Sequence, residues 1–307
     1  MGKGKRKPLR GGQGSVKSAR KGDGDESKDD LRGDAAREEE NSDSSDSDGD
    51  ITLEGKSGDV LQMTFDFKDM KEEYSYGIAN MLPFLLTPTR VAQELAEMIA
   101  VQEEVGTAIL CEEGDDVFGY ATILPVPSIQ SSNTQLKSVV DALVVSVDGL
   151  GPNSEGAVAM RRALSGAGAA QTGILLHGRF VNLPLELVPH LHRNLLDDLT
   201  WAQSDESREQ GAANPFDGLS QCVLLAPVSV TEGYPSPKRG QCINITGSSS
   251  SAMFHHFEDD VFAQESTCTL LFKSPHGSPE SVCAAILVPV AVMSSTCIPS
   301  IAQLVPS

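Results

Sequence analysis

The chain has 307 residues, with 43 acidic side chains against 24 basic ones and a formal charge of −19. The first 50 residues hold 11 of the bases and 13 of the acids, which leaves 13 against 30 over residues 51–307 and a charge of −17 on the body of the protein. Such a body repels nucleic-acid phosphates and attracts basic surfaces, through a field that salt screens beyond ~8–10 Å. Direct binding of nucleic acid is therefore not expected, and a basic protein is the favoured partner.

The length suits one large domain or two small ones, with enough apolar content for a core. Six cysteines, Cys111, Cys222, Cys242, Cys268, Cys283 and Cys297, form no C-x-x-C pair and no zinc-ligand spacing, so they read as reduced, buried thiols. There is no secretory signal, and no apolar run reaches the ~18–20 residues of a membrane span. Arg6 stands where a myristoylation signal requires Ser or Thr, so no membrane attachment is expected.

Residues 1–58 read as a disordered tail, too poor in large apolar side chains to offset the entropy of ordering. Its charge is segregated. Met1–Gly22 carries eight Lys/Arg and no acid, whereas Asp23–Asp50 carries 13 acids. "KGKRKPLR", with Lys3, Lys5, Arg6, Lys7 and Arg10, reads as a nuclear-import signal. Ser45 and Ser47 have acids three residues downstream, the pattern of acid-directed phosphorylation.

A domain is predicted over residues 59–307. Leu61, Met63, Phe65 and Phe67 alternate with polar residues, as in a half-buried strand. "KDMKEEYSYGIANML" reads as a helix, and Thr87–Pro88 as the cap and first position of a second. "TAILC" and "VFGYATILPV" read as a hairpin turning at Glu112–Asp116. Residues 126–156 are expected to be a flexible insertion, and Ala157–Leu164 a short helix. "TGILL" is continuously apolar, as in a strand buried on both faces. Pro189 then starts a helix with Leu191, Leu195, Leu199 and Ala202 on one stripe. "QCVLLAPVSV", "MFHHFEDDVFAQ", "TCTLLF" and "VCAAILVPVAVM" read as strands, with a flexible Gly/Ser/Pro insertion at 233–251. The order β-α-α-β-β-α-β-α-β-β-β-β predicts an α/β (α+β) fold: a single mixed sheet flanked by helices.

The residues give little reason to expect catalysis. On a helix His190 and His192 differ by about 200° and cannot share an ion. His255 and His256, read as strand neighbours, point to opposite faces. There is no G-x-S-x-G elbow and no phosphate-binding P-loop. "RRALSGAG" (161–168) resembles an acetyl-CoA pyrophosphate loop only with its glycines out of step, and such loops need glycines where backbone amides approach phosphate. His177 and Arg179 end the apolar strand, a place where ligands often bind in open α/β sheets. They have no acid/base partner nearby in sequence, so Arg179 is expected to tie the strand end to a carboxylate or to nearby carbonyls. No catalytic residue, metal or cofactor is expected.

"TGILLHGRFVNLPLELVPHLHRNLL" resembles the signature segment of the BCCIP family of eukaryotic nuclear proteins, at positions that include Gly173, Arg179, Phe180, Asn182, Pro184 and Pro189. "VFGYATIL" (117–124) is similar to a second family segment, residues 61–86 more loosely to a third, and the C-terminal half fits by pattern. The chain departs from the family at His177–Gly178, where members read Ser–Glu. The resemblance implies a fold like that of the GCN5-related acetyltransferases, without a working acetyl-CoA site. It also implies a non-enzymatic nuclear chaperone or adaptor that shields a basic large-subunit ribosomal protein, supports ribosome biogenesis and nuclear export, and works with import and export machinery. Alternatives are a cell-cycle or DNA-repair scaffold and an acyltransferase using acetyl-CoA. A monomer in the nucleus, shuttling to the cytoplasm, is expected. The acids Glu112, Glu113, Asp115, Asp116, Glu258, Asp259 and Asp260 are the expected partner contacts.

Overall fold

The computed structural model describes residues 64–82, 84–87, 89–111, 116–132, 134–151, 154–165, 171–204, 214–245 and 252–305. The expectations for the tail at 1–58, for Lys3, Lys5, Arg6, Lys7 and Arg10, for Ser45 and Ser47, and for Glu112, Glu113 and Asp115 all fall outside those residues.

Nine strands form one sheet among the described residues: β1 (Phe65–Asp69), β2 (Gly106–Cys111), β3 (Val117–Pro125), β4 (Gln171–Arg179), β5 (Leu219–Val230), β6 (Ile243–Ile245), β7 (Ala252–Phe254), β8 (Cys268–Phe272) and β9 (Val282–Pro289). Their order is β1-β2-β3-β4-β5-β9-β8-β6, and β7 pairs with the end of β5. Every pairing is antiparallel except β4 with β5. The sheet is mixed, as the sequence predicts, and the predicted hairpin is β2–β3.

Helices cover both faces. One face carries α1 (Ser75–Ala79), α2 (Thr89–Ala100), α3 (Val126–Ser131), α4 (Gln135–Asp148) and α5 (Glu155–Leu164). The other carries α6 (Val188–Ala202), α7 (Phe257–Gln264) and a C-terminal run. That run consists of α8 (Val290–Val292), a π-turn at Met293–Cys297 and α9 (Ile298–Leu304). The central strands are buried from both sides, which is why their sequences are continuously apolar rather than alternating. Within β4, Ile174 and Leu176 enter one core and Leu175 the other.

Four expectations are corrected in whole or in part. Residues 126–156 are not an irregular insertion. They hold α3, α4 and the start of α5, because Thr134 and Ser154 accept hydrogen bonds from the Lys137 and Ala157 amides as caps. Leu136, Val139, Val140, Leu143 and Val147 then recur at helical spacing and are buried. "MFHHFEDDVFAQ" is a strand only at Ala252–Phe254, after which Phe257–Gln264 is helical. Glu258, Asp259 and Asp260 fill the first turn of α7, where carboxylates suit the helix dipole, while Val261 and Phe262 are buried. In the second expected insertion, residues 233–245 are described and end in β6, paired with β8, while 246–251 lie outside the described residues. The predicted helix at 68–82 is reduced to a 3-10 turn at Glu72–Tyr74 followed by α1.

The signature glycine has a packing reason. A Cβ on Gly173 would lie 2.3 Å from Cγ2 of Ile123 on β3. Gly173→Ala is expected to lower stability by about 1–3 kcal/mol through overpacking, read as a shift of the urea midpoint at unchanged slope. An unchanged midpoint would show that β3 and β4 do not meet this closely.

Candidate functional site

The parallel ladder between β4 and β5 runs only from Gln171 to Leu175 on β4. Beyond it β4 continues for four residues paired to β3 alone. The two-residue period of a strand puts His177 and Arg179 on the same face as Leu175, towards α6 and α7. Each of these helices is held in place by its own sequence. Pro184 leads into a 3-10 turn at Leu185–Leu187, and Pro189 sits in the first turn of α6, where its missing amide proton leaves no bond unmade. Leu191, Leu195, Leu199 and Ala202 are all buried against the sheet, as the predicted stripe requires. For α7 the constraint is β7, which pairs Val228–Val230 of β5 with Ala252–Phe254 and so delivers His256 to Asp259 to the end of β4.

The result is a buried polar cluster. Arg179 donates from Nε to Glu258 Oε1 at 2.8 Å and from Nη2 to Oε2 at 3.1 Å, a two-pronged pair with both side chains almost fully enclosed. The guanidinium also lies 5.8 Å from the ring centre of Phe257. His177 Nε2 is 2.7 Å from Asp259 Oδ1. On α6, His192 is fully buried, its ring 5.1 Å from that of His177 and 5.2 Å from that of Phe262. Both nitrogens of His192, and Oδ2 of Asp259, have no hydrogen-bond partner among the described residues.

Burial and neighbouring charge set the protonation states. Burial opposes the charge on Glu258, but the bond from Arg179, with His177 nearby, outweighs it and holds the carboxyl at about 2. Burial likewise opposes charge on His177, yet the Asp259 carboxylate outweighs it and leaves the imidazole raised. Burial raises Asp259 despite His177, so the two groups together hold one proton tightly. His192 falls to about 3 and His256 to about 4, first through burial and then through the charge on His177.

Several expected sites are thereby relocated. Arg179 does tie the strand end to a carboxylate, supplied by Glu258, 79 residues away in sequence. Glu258 and Asp259, expected as partner contacts, are instead wholly buried and internally paired, because the first turn of α7 faces the sheet. Asp260 is only partly covered and bonds Gln264, and Asp116 is exposed. His190 is exposed and His192 buried, so the two do point to opposite sides of α6. His256 precedes α7 rather than continuing a strand, and its ring lies 5.8 Å from that of His177. The sequence reading compared only neighbouring histidines and therefore missed that His177, His192 and Glu258 meet. Of the remaining signature residues, Phe180 is exposed with its ring edge-on to Phe118, and Asn182 is exposed. The six cysteines are buried and unpaired, and burial pushes Cys222, Cys283 and Cys297 up to about 12, so those three are poor nucleophiles. No helix among the described residues is long and apolar enough to cross a membrane.

Two outcomes follow for the cluster. Arg179→Met leaves a buried carboxylate without its partner and is expected to cost about 3–5 kcal/mol, whereas Arg179→Met with Glu258→Met costs much less. Additive losses in urea unfolding of the single and double variants would contradict the pairing. The second outcome concerns acid. Unfolded histidines take up protons near 6.5, while His192 and His256 refuse them until about 3 and 4. Between pH 6.5 and 4 the unfolded chain binds more protons, so stability must fall as pH falls. The slope is up to about 1.4 kcal/mol per pH unit for His192 and less for the partly exposed His256. His177 and Asp259, both held above their unfolded values, oppose part of this slope, because the folded state keeps their protons more tightly than the unfolded chain does. Glu258 adds its own loss only below its unfolded value of 4.5, as pH falls towards about 2. Urea titrations in EDTA-containing buffer are expected to show this slope, and His192→Phe to flatten it. A flat wild-type profile would contradict the burial of neutral histidines.

Comparison with known proteins agrees with the architecture. The sequence model of the BCCIP family matches residues 60–262. Protein BCP1 of Yarrowia lipolytica is 26% identical over 219 residues, covering 68% of this chain and 67% of that protein. A BCCIP homolog of Arabidopsis thaliana is 28% identical over 179 residues, covering 57% of this chain and 50% of that protein. Among solved structures, BCP1 from Saccharomyces cerevisiae superposes with a TM-score of 0.53 at 15% identity, covering 84% of this chain and 94% of that one. That likeness concerns the fold, and it lends no support to the expected resemblance to GCN5-related acetyltransferases. With the signature segment in β4 and the start of α6, and the family's match spanning β1 to α7, the chain belongs to the BCCIP family.

Proposed function

We propose that the protein is a non-enzymatic nuclear chaperone or adaptor whose negative surface shields a basic client, a large-subunit ribosomal protein. The observation that carries this reading is where the charge resides. Residues 51–307 hold 30 acids against 13 bases. Only three of those acids, Asp198, Glu258 and Asp259, are buried among the described residues, and Arg179 and His177 are paired with the last two. Among the described residues the excess of negative charge therefore stays outside. It is dense around α2, where Glu94, Glu97, Glu103 and Glu104 are exposed next to Glu72 and Glu73. Lys71 is already engaged by Glu73 at 3.2 Å.

The end of β4 supports the same reading from the opposite direction. In open α/β sheets such strand ends are where ligands enter. Here the side chains close on one another as buried ion pairs. The glycine-rich residues 166–168 of the off-step loop lie outside the described residues, and Arg161 is paired with Asp148 at 2.5 Å. Ribosomal proteins use basic surfaces to grip RNA, so a negative surface of this size is suited to covering them before assembly.

The purified chain is expected to bind members of a panel of basic large-subunit ribosomal proteins at low ionic strength, suppress their aggregation, and release them as salt rises. Absence of any complex at low salt, or affinity that ignores salt, would contradict this reading.

A further inference from the structure

We propose that His177, His192 and Glu258 form a binding site for one divalent transition cation of the zinc class, a structural tie joining β4, α6 and α7. One donor atom from each of the three residues lies within 4.8 Å of the others, and all three side chains are buried. The second observation is His192 itself. It is fully buried, with both ring nitrogens unpartnered among the described residues. An enclosed polar group without a partner is destabilising, and His192 presents two of them. A cation on one nitrogen removes part of that cost.

The other two residues are already prepared for the role. His177 uses Nε2 for the bond to Asp259, which leaves Nδ1 for a metal. A carboxylate behind a ligating imidazole fixes the tautomer and ring orientation and raises the basicity of the other nitrogen. Binding needs Nδ1 free of its proton, and the proton on Nε2 stays in the bond to Asp259. Glu258 meets Arg179 with both oxygens, yet each carboxylate oxygen carries a further lone pair. With neutral imidazoles, Glu258 and Asp259 against Arg179 leave one net negative charge, which favours a dication.

Two imidazoles and one carboxylate suit zinc and its neighbours rather than calcium or magnesium, which take all-oxygen shells. Tetrahedral zinc with bonds of ~2.0–2.1 Å places its donors about 3.3 Å apart, so the side chains close by ~1.5 Å on binding. Water takes the fourth position.

The test uses the full chain, stripped with a strong chelator and dialysed. Titration with zinc is expected to show one tight equivalent and to raise the melting temperature. Cobalt(II) is expected to give tetrahedral visible absorption without a thiolate charge-transfer band. Asp259→Asn, which keeps the shape, should weaken zinc by about 10–100-fold. His192→Phe, which offers the Phe262 contact an aromatic ring and keeps the fold by circular dichroism, should abolish the tight equivalent. A wild-type chain with no tight equivalent would overturn the proposal and leave water as the partner of His192. So would a sulfur charge-transfer band, or binding unchanged in both variants.

Discussion

The two-pronged contact between Arg179 and Glu258, with His177 and Asp259 beside it, holds together parts of the chain that otherwise share only apolar packing. Strand β4 enters the sheet between β3 and β5, but its ladder with β5 ends at Leu175, and its last residues need partners on the α6–α7 side. Two carboxylates from the first turn of α7 provide them. An isolated charge in such a place would cost several kcal/mol, and it is tolerated because each is met by an opposite charge at hydrogen-bond distance. The pairing of β7 with β5 brings α7 to this place, and the contact then closes the strand end against it.

Its consequence for function is an inversion of what acids near a strand end often mean. Carboxylates beside a histidine in an open α/β sheet can be a general acid and base. Here both are taken up internally, and the signature segment is architecture. Its glycine permits close approach of β3, its arginine anchors α7, and its prolines shape the entry to α6. The acids that remain on the outside are the basis on which a basic partner is proposed.

Much of this architecture was legible in the sequence, for identifiable reasons. The apolar continuity of Gly173–Leu176 announced a strand covered on both faces, and Pro189 announced the start of α6, because each pattern has one dominant physical cause. The helices at 126–148 were missed because serine and glycine in the flanks outweighed the spacing of Leu136, Val139, Val140 and Leu143. The helix at Phe257–Gln264 was missed because aromatic and β-branched residues there read as strand, while the decisive factor was a tertiary one, the burial of Glu258 and Asp259 against Arg179 and His177. Those contacts span 79 and 82 residues, and no local pattern encodes them. The same distance hid the meeting of His177 with His192 and Glu258, although an unpaired histidine on the apolar stripe of α6 was the signal available.

The central claim is that charge at the end of β4 is internal and charge around α2 is for partners. It is tested most directly by comparing client affinity in two variants of equal net charge change. In Glu258→Gln with Asp259→Asn the change of +2 falls inside the cluster, whereas in Glu94→Gln with Glu97→Gln the same change falls on the exposed face of α2. The more decisive pair is the neutral exchange of Arg179 and Glu258 for Met and Met against the α2 double variant, each first shown to be folded by urea titration. The account predicts wild-type affinity for basic ribosomal proteins in the cluster variant and clearly weakened, less salt-sensitive binding in the α2 variant. Lost binding in a folded cluster variant, with α2 indifferent, would contradict it.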